Sequence, residues 1–399
     1  MTAALSHLKV LDLSRVLAGP WASQTLADLG ADVIKIERPN SGDDTRRWGP
    51  PFMRDTKGES TRESAYFMAA NRGKRSVCLD ISDPKDQKIL RELARDSDIV
   101  IENFKVGGAK KYGLDYDSLS AINPKLIYCS ITGFGQTGPY SHRPGYDFLV
   151  QAMGGLMSVT GEKDGEAGAG PQKVGVALTD IMTGLYATVG ILAALAEREK
   201  SGLGQQVDLA LLDVTAATLA NQATNVLVGD QIPTRLGNAH PNIVPYQSFA
   251  TQDGHCIIAV GNDDQFKRYC ELLELSHLPS DSRFATNQAR VEHREILVPL
   301  LQEVMLTHSR DHWLARCEEA GVPAGPINSI DEVFSNEQIL HRQMRVNLPH
   351  PLNPELELPG NPIKLSRTPV NYHRPPPMLG EHTEEVLNGN KNSTPADSA

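Results

Sequence analysis

The thirty residues from Leu8 to Glu37 restrict this chain to few folds. "LKVLDLS" is a compact β-type run, "AGPWASQTLADLGA" carries Pro20 near a helix start and Gly30 at its end, and "DVIKIE" is a second β-type run. That is one βαβ unit, whose right-handed crossover needs about thirty residues. The alternation continues through "RSVCLDIS", "DPKDQKILRELARDS", "DIVIENF", "DYDSLSAINP" and "KLIYCSITGFG". Strands separated by helices of this length predict a mostly parallel sheet covered on both faces, an α/β, Rossmann-like architecture.

Beyond it, a long apolar helix is predicted from about Thr179 to Lys200, followed by "GQQVDLALLD" and "VTAATLANQATNVLVG". The texture then changes. "PYQSFATQDGHCIIAVGN" reads as a hairpin around an Asp-Gly turn, followed by helical pieces, so a smaller α+β domain is expected over 226–329. The large domain takes 1–225 plus 330–388, built from both chain ends, and 389–399 reads as a disordered tail.

Composition excludes several classes. A net charge of −10 argues against nucleic-acid or anionic-membrane binding, which need a clustered cationic surface. The five cysteines are odd in number and have no C-x-x-C pair, so neither a disulfide framework nor a zinc cage is indicated. Scattered histidines give no metal spacing, and no metal is expected. "MTAALSHLKV" lacks a signal-peptide start and "TGLYATVGILAALAEREK" is short for a spanning helix, so a cytoplasmic protein is expected. "GFGQTG" fits G-x-G-x-x-G, but Pro139 and Pro144 preclude a helix there, which leaves a Gly-rich loop at a strand end. Arg38, Arg46, Arg47, Arg72, Lys74, Arg75, Lys110, Lys111 and Arg143 each read alone as solvated surface charges, but several fall just after predicted strands or in the loops beyond, and their convergence there would suit a phosphorylated ligand. Asp180, alone in the apolar stretch from Val174 to Glu197, has two readings. It is a helix N-cap worth roughly 1 kcal/mol, or a carboxylate kept ionised at a helix N-terminus and able to act as nucleophile or base.

The motifs "LKVLDLSRVLAGPWASQTLADLGADVIKIERP", "NRGKRSVCLDI", "IENF", "CSITGFGQTGPY", "PGYDFLVQAMGGLMSVTG", "GVALTDIMTGLYA", "GNAHPNIVPY" and "PPMLGEHTEEVL" resemble, in order, those of family III CoA-transferases, the formyl-CoA and carnitine CoA-transferase group. The resemblance implies a homodimer of interlocked subunits and no permanently bound cofactor, coenzyme A entering as the acyl-CoA substrate. It implies Asp180 as the nucleophile, forming a mixed anhydride and then an aspartyl-CoA thioester. It places CoA contacts at Val16, Ala18, Arg38, Leu79, Asn103, Phe104, Lys111, Arg143, Tyr146 and Asp147. "GNAH" at Gly237 or "GFG" at Gly133 would supply backbone N–H groups to an oxyanion. Related 2-methylacyl-CoA racemases carry a His-containing "GHD"-like motif where this chain has Gly145-Tyr146-Asp147, which makes the racemase the second reading and a non-catalytic CoA-binding protein the third. Oxalate-specific members carry Gln where Leu17 stands. "DDTRRWGPPF" and "GNAHPNIVPYQSF" are most similar to the succinyl-CoA:dicarboxylate branch, with Arg15, Leu17, His240 and Tyr246 as substrate contacts.

Overall fold

The structure, a computed structural model, describes residues 3–391. It divides into two compact units. Among the described residues, one holds the chain up to Leu156, Val174–Val228 and the part from Glu337 to Lys391, and the other holds Met157–Lys173 and Gly229–Asn336. The segment 157–173, assigned from sequence to the large domain, therefore groups with the second unit.

The first unit is built on six parallel strands: β1 (Lys9–Asp12), β2 (Asp32–Glu37), β3 (Lys74–Cys78), β4 (Ile99–Glu102), β5 (Ile127–Thr132) and β6 (Gln206–Ala210), in the order β3-β2-β1-β4-β5-β6. The order reverses between β1 and β4, which opens a crevice at their carboxyl ends where α/β sheets bind ligands. Helix α1 (Ala18–Asp28) crosses from β1 to β2, and α2 (Pro84–Arg95) from β3 to β4. The start of α2 follows its sequence: Pro84 sits in the first turn and the Asp83 carboxylate accepts from the Lys85 N–H at 2.8 Å. Helix α3 (Tyr116–Ile122) leads into β5, and after α4 (Asp147–Met153) comes α5 (Leu178–Ser201).

One face of the sheet buries Val10, Val33, Ile99 and Ile127 against Ala22 and Leu26 of α1 and Ala187 and Ile191 of α5. The other buries Leu11, Ile36, Val77 and Val100 against Leu90 and Leu93 of α2 and Leu119 of α3. Each such valine, leucine or isoleucine side chain contributes roughly 1.5–3 kcal/mol on burial. The C-terminal helix α6 (Thr383–Lys391) packs Val386 into this second face, and its leading Thr383 hydroxyl accepts from the Cys78 N–H of β3 at 3.0 Å. Residues 389–391 of the expected tail are thus helical, and the rest of it, 392–399, lies outside the described residues. Helix α5 also departs from expectation: its 24 residues are long and apolar enough to cross a membrane by length and composition. In this fold Thr183, Ala187, Ile191 and Ala194 make it a core helix with a buried face.

The second unit carries an antiparallel sheet in the order β9-β8-β7, from β7 (Tyr246–Thr251), β8 (Gly254–Ala259) and β9 (Ala324–Pro326). The hairpin turns at Asp253-Gly254, where the sequence places it. Phe249, Ile258, Phe266, Tyr269, Leu301 and Trp313 form its core.

Candidate active site

Two cavities lie at the crevice between β1 and β4. One, of about 260 Å³, is lined by Arg15, Val16, Leu17, Ala18, Asn103, Phe104, Gly133, Arg143, Tyr146 and Asp180, among others. The other, of about 330 Å³, has Arg38, Leu79 and Lys111 in its wall, and shares Arg15, Phe104 and Lys105 with the first. Ligand pockets run from about 300 to 1,000 Å³, so a molecule as large as an acyl-CoA needs both. Every first-unit residue that the resemblance singled out, Asp147 excepted, thus lines one of two cavities with a common wall.

Asp180 does not cap its helix. The capping position of α5 is Ala177, and no side chain of the local sequence caps it. The Asp147 carboxylate does so from α4, accepting from the N–H groups of Thr179 at 2.9 Å and Asp180 at 3.3 Å. Its other oxygen accepts from the Gln151 amide at 2.7 Å, and Gln151 in turn accepts from Val174 N–H at 2.9 Å. Asp147 is therefore a structural neighbour of Asp180, and it is the one first-unit residue of the expected set that does not line either cavity. Gly184, one turn further along α5, meets α1 closely: a Cβ there would stand 2.7 Å from the Ala18 carbonyl and 3.0 Å from Trp21. Residues four apart share a helix face, so this contact fixes the face that carries Asp180 against the start of α1.

Its electrostatics also differ from expectation. Burial, and after it the charge of Asp147, push the Asp180 carboxyl up to about 7. The helix N-terminus favours the anion and opposes that shift, without the side-chain cap that would hold the charge fully. Such a carboxyl is a stronger base and nucleophile than an ordinary one and is charged in a large fraction at neutral pH. Sequence reading missed Tyr66, whose phenol is pushed up by burial and by the charges of Asp180, Asp147 and Asp43, and which therefore stays a donor. It packs edge-on to Trp48 at 5.0 Å. No periodicity or spacing marks "AYF" as a site segment.

The loop between β1 and α1 is held by side chains throughout. Ser14 N–H and hydroxyl both donate to Asp12, at 2.9 and 2.5 Å. Lys35 Nζ donates to the Ser14 carbonyl at 2.9 Å and pairs with Asp43 at 3.0 Å, both side chains fully buried. Asn103 brackets Arg15, accepting from its N–H at 2.9 Å and donating to its carbonyl at 2.7 Å. Asp43 accepts from Val16 N–H at 3.2 Å. Burial alone would raise the Asp43 carboxyl, but Lys35 and the Thr45 N–H outweigh it and hold it at about 2. Val16 itself has φ +71°, a left-handed conformation that is rare for a β-branched residue.

The basic residues divide. Arg46 pairs with Glu37, Arg72 with Asp28, Lys74 with Asp12 and Arg75 with Asp32, so these four hold the fold together and do not converge on a ligand. Arg15 and Arg38 share the Asp44 carboxylate at 3.1 and 2.5 Å. Lys111 Nζ lies 4.4 Å from the Tyr112 ring centre, and the Arg143 guanidinium 4.0 Å from that of Tyr140. Tyr146 is 67% exposed. No helix opens at Gly133–Gly138, as expected.

His240 and Tyr246 lie in the second unit, their rings 5.3 Å apart, with His240 N–H donating to the Tyr246 carbonyl at 2.9 Å. The Gly237 N–H, considered for an oxyanion, donates to the Gly161 carbonyl at 3.2 Å and is not free for it. Among the described residues no three His, Cys, Asp or Glu side chains are grouped to hold a metal ion.

Residues 5–383 match the model of CoA-transferase family III. The chain is 52% identical over 389 residues to the succinate–glutarate CoA-transferase of Agrobacterium fabrum, with 96% of this chain and 94% of that one aligned. It is 44% identical over 383 residues to the succinyl-CoA:glutarate CoA-transferase of Homo sapiens, covering 96% and 85%. Among solved structures, a CaiB/BaiF family protein from Brucella suis superposes with a TM-score of 0.85 at 49% identity, covering 98% of this chain and all of that one. The chain belongs to CoA-transferase family III.

Proposed function

We propose that this chain transfers CoA from succinyl-CoA to a dicarboxylic acid of the glutarate class, with Asp180 as the covalent nucleophile. The observation that carries the reading is the Asp180 carboxyl itself, raised to about 7 in a cavity that it shares with Arg15. Relatives named for succinyl-CoA and glutarate supply the substrate class.

An Asp180 carboxylate oxygen attacks the thioester carbonyl, the C–S bond breaks, and a mixed anhydride and CoA thiolate result. The thiolate attacks the Asp180 acyl carbon and releases succinate, leaving an aspartyl-CoA thioester. The acceptor carboxylate then attacks that thioester, expelling the thiolate and forming a second anhydride. Attack of the thiolate on the acceptor's acyl carbon forms the new thioester and frees Asp180. No water enters, and the thioester energy is conserved only if the anhydride is shielded from it. Leu17 and Ala18 give the cavity an apolar wall at that point.

Arg15 is the cation proposed to meet the distal carboxylate of the substrate, exchanging Asp44 for it. His240 and Tyr246 are proposed as further acceptor contacts. Arg38 and Lys111 serve the phosphates of CoA, Lys111 as a point charge without a bidentate fork. A second copy of this chain is the proposed partner, supported by the exposed apolar side chains of Phe148 on α4 and Val189 on α5. Light scattering of the purified protein tests it, with a monomer against the reading.

The substrate test is direct. Incubated with succinyl-CoA and glutarate, the protein should produce glutaryl-CoA and succinate by mass spectrometry. If a panel of C4 to C6 dicarboxylates yields no new acyl-CoA, the substrate class is wrong.

A further inference from the structure

We infer that Asn103 and Asp43 are positioning residues: together they hold Val16 in its left-handed conformation, which sets the cavity wall that faces Asp180. The inference rests on the transferase reading for its kinetic arm only. Val16 at φ +71° is an outlier for a β-branched side chain, and such conformations persist only where the surroundings impose them. Here the surroundings are identifiable. Asn103 spends its carbonyl and one N–H on the backbone of Arg15, and Asp43 takes the Val16 N–H. Lys35, fully buried, fixes Asp43 from below and the Ser14 carbonyl beside it.

The clamp spans the switch point of the sheet, joining the end of β4 to the loop after β1. Its product is a tight entry into α1. Four consecutive residues, Arg15 to Ala18, then line the Asp180 cavity. The other side of that wall is fixed as well, because the Ala18 carbonyl abuts Gly184 on the helix of Asp180. With Ala18 anchored, relaxation of Val16 to negative φ must displace Val16 and Leu17 from the wall.

The test is a pair of variants, Asn103→Ala and Asn103→Ala combined with Val16→Gly. For succinyl-CoA and glutarate, Asn103→Ala should lower kcat about 30-fold while KM changes less than roughly threefold, the signature of lost geometry. Adding Val16→Gly should recover about tenfold, because glycine takes positive φ without a Cβ penalty. A rise confined to KM for acyl-CoA, with no recovery, would mean that Asn103 serves by touching CoA, and would overturn the inference. Asn103→Asp keeps the acceptor for Arg15 N–H and loses the donor; its kcat should fall between wild type and Asn103→Ala, and it replaces that variant if alanine prevents folding. Crystal structures give a readout independent of turnover. Residue 16 should relax to negative φ in the single variant and return to positive φ in the double one. A retained positive φ in the single variant contradicts the clamp even if the wild-type protein transfers no CoA at all, an outcome that would defeat only the proposed function.

Discussion

Two segments face each other across the candidate site, and they are built on opposite terms. In the loop from Ser14 to Val16, the backbone groups of Ser14 and Arg15 and the Val16 N–H are taken by the buried side chains of Asp12, Lys35 and Asp43 and the half-buried one of Asn103. At the start of α5, the helix N–H groups are satisfied by Asp147, while Asp180 is left half-buried beside that like charge. One segment is stable and strained into shape; the other carries an electrostatic cost that makes a carboxyl reactive. A site that forms an anhydride needs both, a wall that does not move and a nucleophile that is not neutralised.

Breaking either side should have opposite consequences. Asp180→Asn should abolish transfer, lowering kcat by ~10⁴-fold or more in an acyl-CoA exchange assay, since an amide at this position cannot form the anhydride. On the opposite side, Asp43→Ala takes from the buried Lys35 its paired carboxylate, leaving only the charges of Asp12 and Glu37, and should cost about 3 kcal/mol in denaturant unfolding. Gly184→Ala tests the contact that joins the two sides. A methyl group 2.7 Å from the Ala18 carbonyl forces the helices apart, for an expected loss of about 1–3 kcal/mol and a kcat lower by roughly tenfold.

The Asp180 comparison can also be sharpened by pH. Its folded-state value, about 7, exceeds the ordinary carboxyl value of 3.8, so the native state binds the extra proton and stability falls as pH rises through that window. Asp180→Asn removes this cost. The variant should be more stable than wild type by up to about 4 kcal/mol at pH 8, with most of the gain gone near pH 4. In kinetics, kcat/KM should rise with pH and level off above about 7, as Asp180 ionises. Asp147→Asn removes the neighbouring charge and leaves an oxygen for the helix N–H groups. The acidic limb should then move about one pH unit lower; an unmoved limb would show that Asp147 does not tune Asp180.

What the sequence displays depends on how local the determinant is. The β–α alternation, the Asp83-Pro84 helix start and the Asp253-Gly254 hairpin rest on contiguous residues and are legible as such. The α5 cap is not, because its carboxylate comes from Asp147, more than thirty residues away, and the nearer Asp180 carries the same chemical signature. Arginine and lysine after strand ends look alike in sequence, yet Arg72 and Arg75 meet acids more than forty residues away. Positive φ at residue 16 is invisible for a related reason: sequence rules assign that conformation to glycine, and here distant hydrogen bonds impose it on valine. The resemblance of "ALTDIMTG" to its family, more than any spacing, singled out Asp180.

The most direct measurement is a trap of the covalent intermediate. The protein is incubated with succinyl-CoA in the absence of acceptor, treated with hydroxylamine and digested, and the peptide spanning Asp180 is sequenced by mass spectrometry. A hydroxamate at Asp180, absent when succinyl-CoA is omitted and absent in Asp180→Asn, is the expected result. No hydroxamate at Asp180 while the same sample still transfers CoA, or one formed on another residue, would contradict the assignment of Asp180 as the nucleophile.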